Sequence, residues 1–288
     1  MEIRKIAKIG YGQDGAIWGD ELFRFDSRGH GSVYRMEEVL AAEGGEVAPF
    51  ATFTLDGAER LVPHSNAVFF GGKRYEEGDE FPILYTNVYN NYAQSEDPLI
   101  GVCCAYRLVR EGDGFSTTLI QMIEIGFTED ASLWKATEES HGVRPYGNFL
   151  MDREGKSYYA FVMRNEEKGT RYFRFAAPDP HAGESDPVFG VRRVVLDASQ
   201  IEQTLDLPYH RFLQGGTLYE GRIYSTEGFT DDPVNRPAIR VLDLQTGKSV
   251  YYDITAFGCR EEPELIDFYK GVCYYSDIHG NTYTVTFA

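Results

Sequence analysis

Cysteine is scarce in this sequence, 4 in 288 residues, and tryptophan scarcer still at 2. So few thiols in so long a chain do not make the disulfide framework of a small secreted domain. Basic residues are short as well: 28 Lys and Arg stand against 45 Asp and Glu, a formal net charge of −17. A surface that acidic repels phosphate backbones and anionic lipid, so neither nucleic acid nor a membrane surface is an expected partner. No apolar run approaches the ~20 residues needed to span a bilayer. The opening Met1-Glu2-Ile3-Arg4-Lys5-Ile6 has no apolar stretch behind its charges, so a cytoplasmic location is expected. There is no Gly-x-Ser-x-Gly elbow and no Gly-rich phosphate loop. Gly29-His30-Gly31 and Gly215-Gly216 read as turns. Helical periodicity is confined to two short stretches, Met36 to Ala42 and one that starts near Thr128 and passes Trp134.

Aromatic residues are plentiful: 20 Tyr and 19 Phe among 288 residues. They fall in short alternating runs such as Leu22-Phe23-Arg24-Phe25, Arg171-Tyr172-Phe173-Arg174-Phe175 and Thr282-Tyr283-Thr284-Val285-Thr286-Phe287. Turn sequences separate the runs, among them Asp152-Arg153-Glu154-Gly155, Gln245-Thr246-Gly247-Lys248 and His279-Gly280-Asn281. Alternation broken by tight turns predicts hairpins along the whole chain. Within these strands Cys103 and Cys104 point to opposite faces and cannot share a metal or bridge each other. They, Cys259 and Cys273 read as buried apolar side chains.

Five segments repeat one pattern: polar lead-in residues, an apolar strand, a turn, then an aromatic-rich strand. They begin at Gln13-Asp14, His64-Ser65-Asn66, Arg144-Pro145-Tyr146, Tyr209-His210-Arg211 and Glu262-Pro263-Glu264. The sequence after most of them holds further strands, and the fifth lacks one, which Glu2 to Ile9 supplies by pairing back into it. This predicts an all-β chain, a single five-bladed β-propeller of four-stranded blades whose ring is closed by the N-terminal strand. The blades are read at about 13–60, 61–127, 141–198, 207–256 and 262–288 plus 1–10, with an insertion at about 128–140; each averages about 58 residues. One or two β-sandwiches would show similar strands without the recurring lead-in.

In such a ring the lead-in residues of all blades converge on one mouth of the central channel. The candidate ligand-binding residues are therefore Gln13, Asp14, His64, Asn66, Arg144, Tyr146, His210, Arg211, Glu262 and Glu264. The set mixes carboxylates, imidazoles, guanidinium groups, amides and a phenol, which suits a small polar ligand, most naturally carbohydrate-derived. Asp14 and Glu264 lead into neighbouring blades, so two carboxylates face one pocket, the arrangement glycoside hydrolysis uses. Trp134 is a candidate to overhang the pocket, and Trp18 reads as core. His64, His141 and His210 lack the close spacing of a metal motif, so neither a metal nor another cofactor is expected.

The architecture resembles the five-bladed propeller glycoside hydrolases of the arabinanase-like and levansucrase-like kind. That resemblance implies three acidic residues around a central sugar site: an Asp in the first blade, an Asp in the second and a Glu in the third. Asp14 matches the first. The second lead-in has His64 and Asn66 instead of an Asp; the third has Arg144 and Tyr146 instead of a Glu, with Glu138 and Glu139 upstream in the insertion. Three functions stay open: a ligand-binding propeller with no assignable reaction, a glycoside hydrolase or lyase, and a platform for a protein partner, which would carry a large apolar patch on one rim.

Overall fold

The alternating runs become 22 strands in five sheets, seen in a computed structural model that describes residues 1–88, 99, 101–129, 146–164, 166–208 and 212–287, with 146–149 described by their backbone. β1 (Glu2–Lys8) precedes a first blade of β2 (Gly15–Trp18), β3 (Glu21–Phe25), β4 (His30–Arg35) and β5 (Ala51–Thr54). The second blade holds β6 (His64–Phe70), β7 (Leu84–Val88), β8 (Val102–Glu111) and β9 (Gly114–Ile125). In the third, β10 (Tyr146–Met151), β11 (Ser157–Met163) and β12 (Thr170–Ala176) are followed by the short β13 (Glu184–Ser185), then β14 (Arg192–Leu196) and β15 (Gln203–Leu207). The fourth is β16 (Leu213–Tyr219), β17 (Arg222–Glu227), β18 (Ala238–Asp243) and β19 (Ser249–Asp253). The fifth is β20 (Pro263–Tyr269), β21 (Val272–Asp277) and β22 (Asn281–Thr286), completed by β1, which pairs antiparallel with β22. The chain is thus a five-bladed β-propeller closed by its N-terminal strand.

Hairpin chemistry fixes the register within blades. The Asp152 carboxylate accepts the amides of Lys156 and Ser157 at 2.8 and 2.7 Å. Asp243 does the same for Gln245 and Thr246, and Asp277 for His279 and Asn281. Each is an aspartate folding its own turn, with a glycine (Gly155, Gly247, Gly280) at the left-handed position. Met36–Ala41 is the expected helix, α1, between β4 and β5. The stretch expected near Thr128–Trp134 lies mostly outside the described residues.

Apolar packing between blades holds the ring. Phe23 of the first blade meets Phe70, Phe81 and Phe115 of the second, all edge-on with centroids 5.3–5.8 Å apart. Tyr219 of the fourth stacks on Phe268 of the fifth at 4.0 Å. All four cysteines are buried and free. Burial pushes the Cys103 thiol up and the Cys104 thiol to about 12, so both stay protonated and unreactive.

Two expectations are corrected. Arg192–Leu196, inside the stretch read as the third blade, leaves that blade and pairs in parallel with β9, making the second sheet six-stranded; β15, past residue 198, completes the third blade instead. The β13–β14 strap is held by more than its strand. Gln121 Nε2 donates to the carbonyls of Asp179 and Ala182, Arg193 pairs with Glu124 and the buried Asp186, and the Arg60 guanidinium lies 4.6 Å over Phe189. Gly215-Gly216 is no turn but lies within β16. A Cβ at Gly215 would sit 1.8 Å from the Glu264 carbonyl oxygen, so the glycine is there for close approach of two inner strands.

Candidate functional site

The five inner strands β2, β6, β10, β16 and β20 each lead their blade, so their first residues gather at one mouth of the channel. Asp14, fully buried just ahead of β2, reaches across to the second blade, where its Oδ2 accepts the Val68 amide at 2.9 Å. Its other oxygen faces the fourth blade at Gly215. Burial raises its pKa well above the carboxylate range, against the pull of the Val68, Gly15 and Gly216 amides. Asp14 is thus a cross-channel clamp. Gln13 is buried beside it, its backbone N–H donating to the Phe25 carbonyl at 2.7 Å.

At the second blade, His64 and Ser65 both take positive φ, 66° and 55°, which non-glycine residues rarely adopt. This puts the Ser65 carbonyl under the Asp14 amide at 3.2 Å. Asn66 is buried and accepts from Asn87 Nδ2 at 2.6 Å, while Asn87 Oδ1 takes the Ala67 amide. Half-buried Glu262 accepts from Gln214 Nε2 at 2.6 Å, and burial raises its pKa.

Two buried charged side chains, Arg24 and Glu264, come near each other where the first and fifth blades adjoin. Arg24, on β3, is buried and donates through Nη2 to the carbonyls of Gly12 and Asp277 at 2.7 and 2.6 Å. Among the described residues its Nε and Nη1 have no hydrogen-bond partner, nor has either oxygen of buried Glu264. Burial drives the Glu264 carboxyl well up, Glu262 adds to that, and Arg24 opposes it. Burial also lowers the Arg24 pKa, with Glu264 as its largest electrostatic counterweight.

The structure therefore brings Gln13, Asp14, His64, Asn66, Glu262 and Glu264 to one mouth. Arg144, His210 and Arg211 lie outside the described residues, as do Trp134, Glu138, Glu139 and His141; Tyr146 begins β10, described by its backbone. Sequence reading missed Arg24 and Gln214. Arg24 was legible as the one charge in Leu22-Phe23-Arg24-Phe25, a strand with no exposed residue. The far mouth offers little room: a cavity of about 20 Å³, beside Trp18, Phe70, Met151, Arg153, Thr217 and Asp267, holds about one water. Among the described residues no group of three or more His, Cys, Asp and Glu could hold a metal ion. None of their helices is long and apolar enough to cross a membrane.

No protein-family model and no curated protein matches the chain. Solved structures do resemble it. The glutaminyl cyclase of Myxococcus xanthus is similar over 99 % of this chain and 96 % of its own, with a TM-score of 0.50 and 11 % identity. BamB from Moraxella catarrhalis (TM-score 0.35, 10 % identity) is covered over 58 % of its length by 99 % of this chain. Hydrazine synthase from Kuenenia stuttgartiensis (TM-score 0.42, 9 % identity) is covered over 60 % by 91 % of it. At these identities the first likeness is one of fold alone, the propeller, and none carries the arabinanase-like or levansucrase-like membership suggested by the architecture.

Proposed function

We propose that this protein binds a small polar, carbohydrate-derived ligand at the mouth of the channel framed by Gln13, Asn66, Gln214, Glu262 and Glu264. The reading rests on one observation: four blades bring the polar side chains of Gln13, Asn66, Gln214, Glu262 and Glu264 to one mouth of the channel, with Glu262 half-buried at its rim. Glycoside hydrolysis is the weaker reading, because Asp14, its one matching acid, is committed to the Val68 amide. A protein-docking platform is weaker too, since the exposed large apolar residues, Tyr11, Val188, Val195 and Val234 among them, are spread over separate blades and loops.

A thermal-shift screen of the intact chain against monosaccharides, uronic acids and sugar phosphates tests the proposal. A ligand at 100 times its Kd adds about 2.7 kcal/mol of stability. Stabilisation that Glu264→Gln abolishes supports the site. Silence across the screen, or stabilisation that Glu264→Gln leaves intact, overturns it.

A further inference from the structure

The strap of β13 and β14, which sets the second blade apart from the other four, also walls a cleft. It has a volume of about 480 Å³ and lies at the outer strands of that blade, away from the lead-in residues of the channel mouth. Tyr75, Arg107, Thr118, Ser185 and Arg192 supply its polar wall. In a chain of net charge −17, none of the described residues lining it is acidic. We propose that this cleft is a second binding site, for a small organic phosphate monoester whose phosphate is held by Arg107 and Arg192.

Strand pairing collects these groups. Arg107 stands opposite Thr118 across β8 and β9, and Arg192 stands opposite Ser185 across β14 and β13. Opposite residues share a face of a sheet, so each arginine has a hydroxyl beside it. The β8–β9 ladder shifts register at Ile120, a bulge of the kind that re-aims side chains beside a site. Arg107 is held but only partly used. Its Nε and Nη2 grip Asp79 at 2.6–3.1 Å, which leaves Nη1, and its side chain is 36 % exposed. Arg192 is exposed and gives one bond, from Nη1 to the Gly183 carbonyl at 3.3 Å, which leaves Nε and Nη2.

The wall selects the ligand. Guanidinium groups donate, never accept, and stay charged at any working pH. Two of them with three hydroxyls call for an anion rich in acceptor oxygens. A phosphate monoester offers three such oxygens and carries close to two negative charges near neutrality. Asp79 and Glu76 act on Arg107, but Arg74 acts on Asp79 as well, so that carboxylate is shared between two guanidinium groups. The organic part of the ester meets Leu119, Ile120 and the Tyr75 ring, which packs 4.6 Å from His181. The acidic surface beyond the cleft repels polyanions, whereas a small ester reaches the arginines.

The test is calorimetry on the full chain at pH 7.5 with phenyl phosphate, inorganic phosphate and phenol. Phenyl phosphate is expected to bind about 10-fold tighter than inorganic phosphate, and phenol not to bind. Arg192→Gln and Arg107→Gln each weaken phenyl phosphate about 10-fold, roughly one hydrogen bond to a charged group, with an unchanged circular dichroism spectrum. Arg4→Gln, which removes the same charge from exposed β1, leaves the affinity as it was. Equal affinity in the parent and in folded Arg192→Gln overturns the site. Phenol binding as tightly as phenyl phosphate overturns the anionic class. Inorganic phosphate matching phenyl phosphate overturns the ester and leaves a site for the bare ion. Failure of both phosphates to bind the folded chain overturns the inference, and leaves the channel mouth untouched.

Discussion

The Val68 amide donates to Asp14 Oδ2 at 2.9 Å, so a carboxylate preceding the first blade is held by the inner strand of the second. Asp14→Ala leaves that buried amide unpartnered and opens a gap beside Gly215. The expected loss is about 1–3 kcal/mol in urea unfolding, with Asp14→Asn milder because its carbonyl oxygen still accepts. Equal stability of Asp14→Ala and the parent would show that the clamp carries no weight.

The glycine at 215 makes a second case. Gly215→Ala puts a Cβ against the Glu264 carbonyl and about 3.0 Å from Asp14 Oδ1, so two inner strands must part. A loss of roughly 1–3 kcal/mol is expected. Gly78→Ala, where a Cβ meets nothing within 4 Å, serves as the control and should stay within about 0.5 kcal/mol.

Stability should fall as the solution turns alkaline. Asp14, Glu262, Glu264, Asp267 and Asp277 all have pKa values raised by burial. A raised acid favours the folded state fully below its unfolded value, near 4, and that contribution is lost as pH climbs through the folded value. Acids lowered by partners, such as Asp206 beside Arg171 and Asp243 on the Thr246 amide, act oppositely and lose their contribution on the acid side. The melting temperature should therefore be higher at pH 5 than at pH 8, and Asp14→Asn should flatten the difference. A melting temperature that rises from pH 5 to pH 8 contradicts this.

Removal of residues 1–8 should cost more than any of these substitutions. β1 buries Ile6 and Ala7 and covers the open edge of β22. Without it the fifth blade has three strands and an exposed edge. Melting temperature and light scattering should both register the loss, the first falling and the second rising.

Much of this architecture was readable because its determinants are local. The turns at Asp152, Asp243 and Asp277 announce themselves in four or five residues, and the aromatic alternation of Arg171–Phe175 marks a strand with two buried faces. The closing strand was inferred from a deficit, one strand too few after Asn281. Long-range choices left no such mark. Val194 and Val195 look equally fit for either blade, and only the free edge of β9, with Glu124 and Gln121 waiting for Arg193 and the Asp179 carbonyl, decides between them. Gly215-Gly216 has turn composition, but the approach of the Glu264 carbonyl, about 50 residues away, sets its place in a strand. At the channel mouth the convergence of Gln13, Asp14, Asn66 and Glu264 follows from the repeat. The nearness of Arg24 to Glu264 does not, because the arginine comes from a second strand and not from a lead-in.

The strap of β13 and β14 limits modularity. Propellers diversify by duplicating and exchanging blades, each a self-contained stretch of sequence. Here the second blade receives its fifth and sixth strands from chain emerging some 65 residues after β9 ends, after most of the third blade has been made. During synthesis the outer edge of β9 waits uncovered until that chain arrives. The two blades thus fold and transplant together: a chimera cut between β9 and β10 severs the six-stranded sheet from its own edge as well as the closing pair, whereas a cut between β19 and β20 leaves only the closing β1–β22 pair spanning the join.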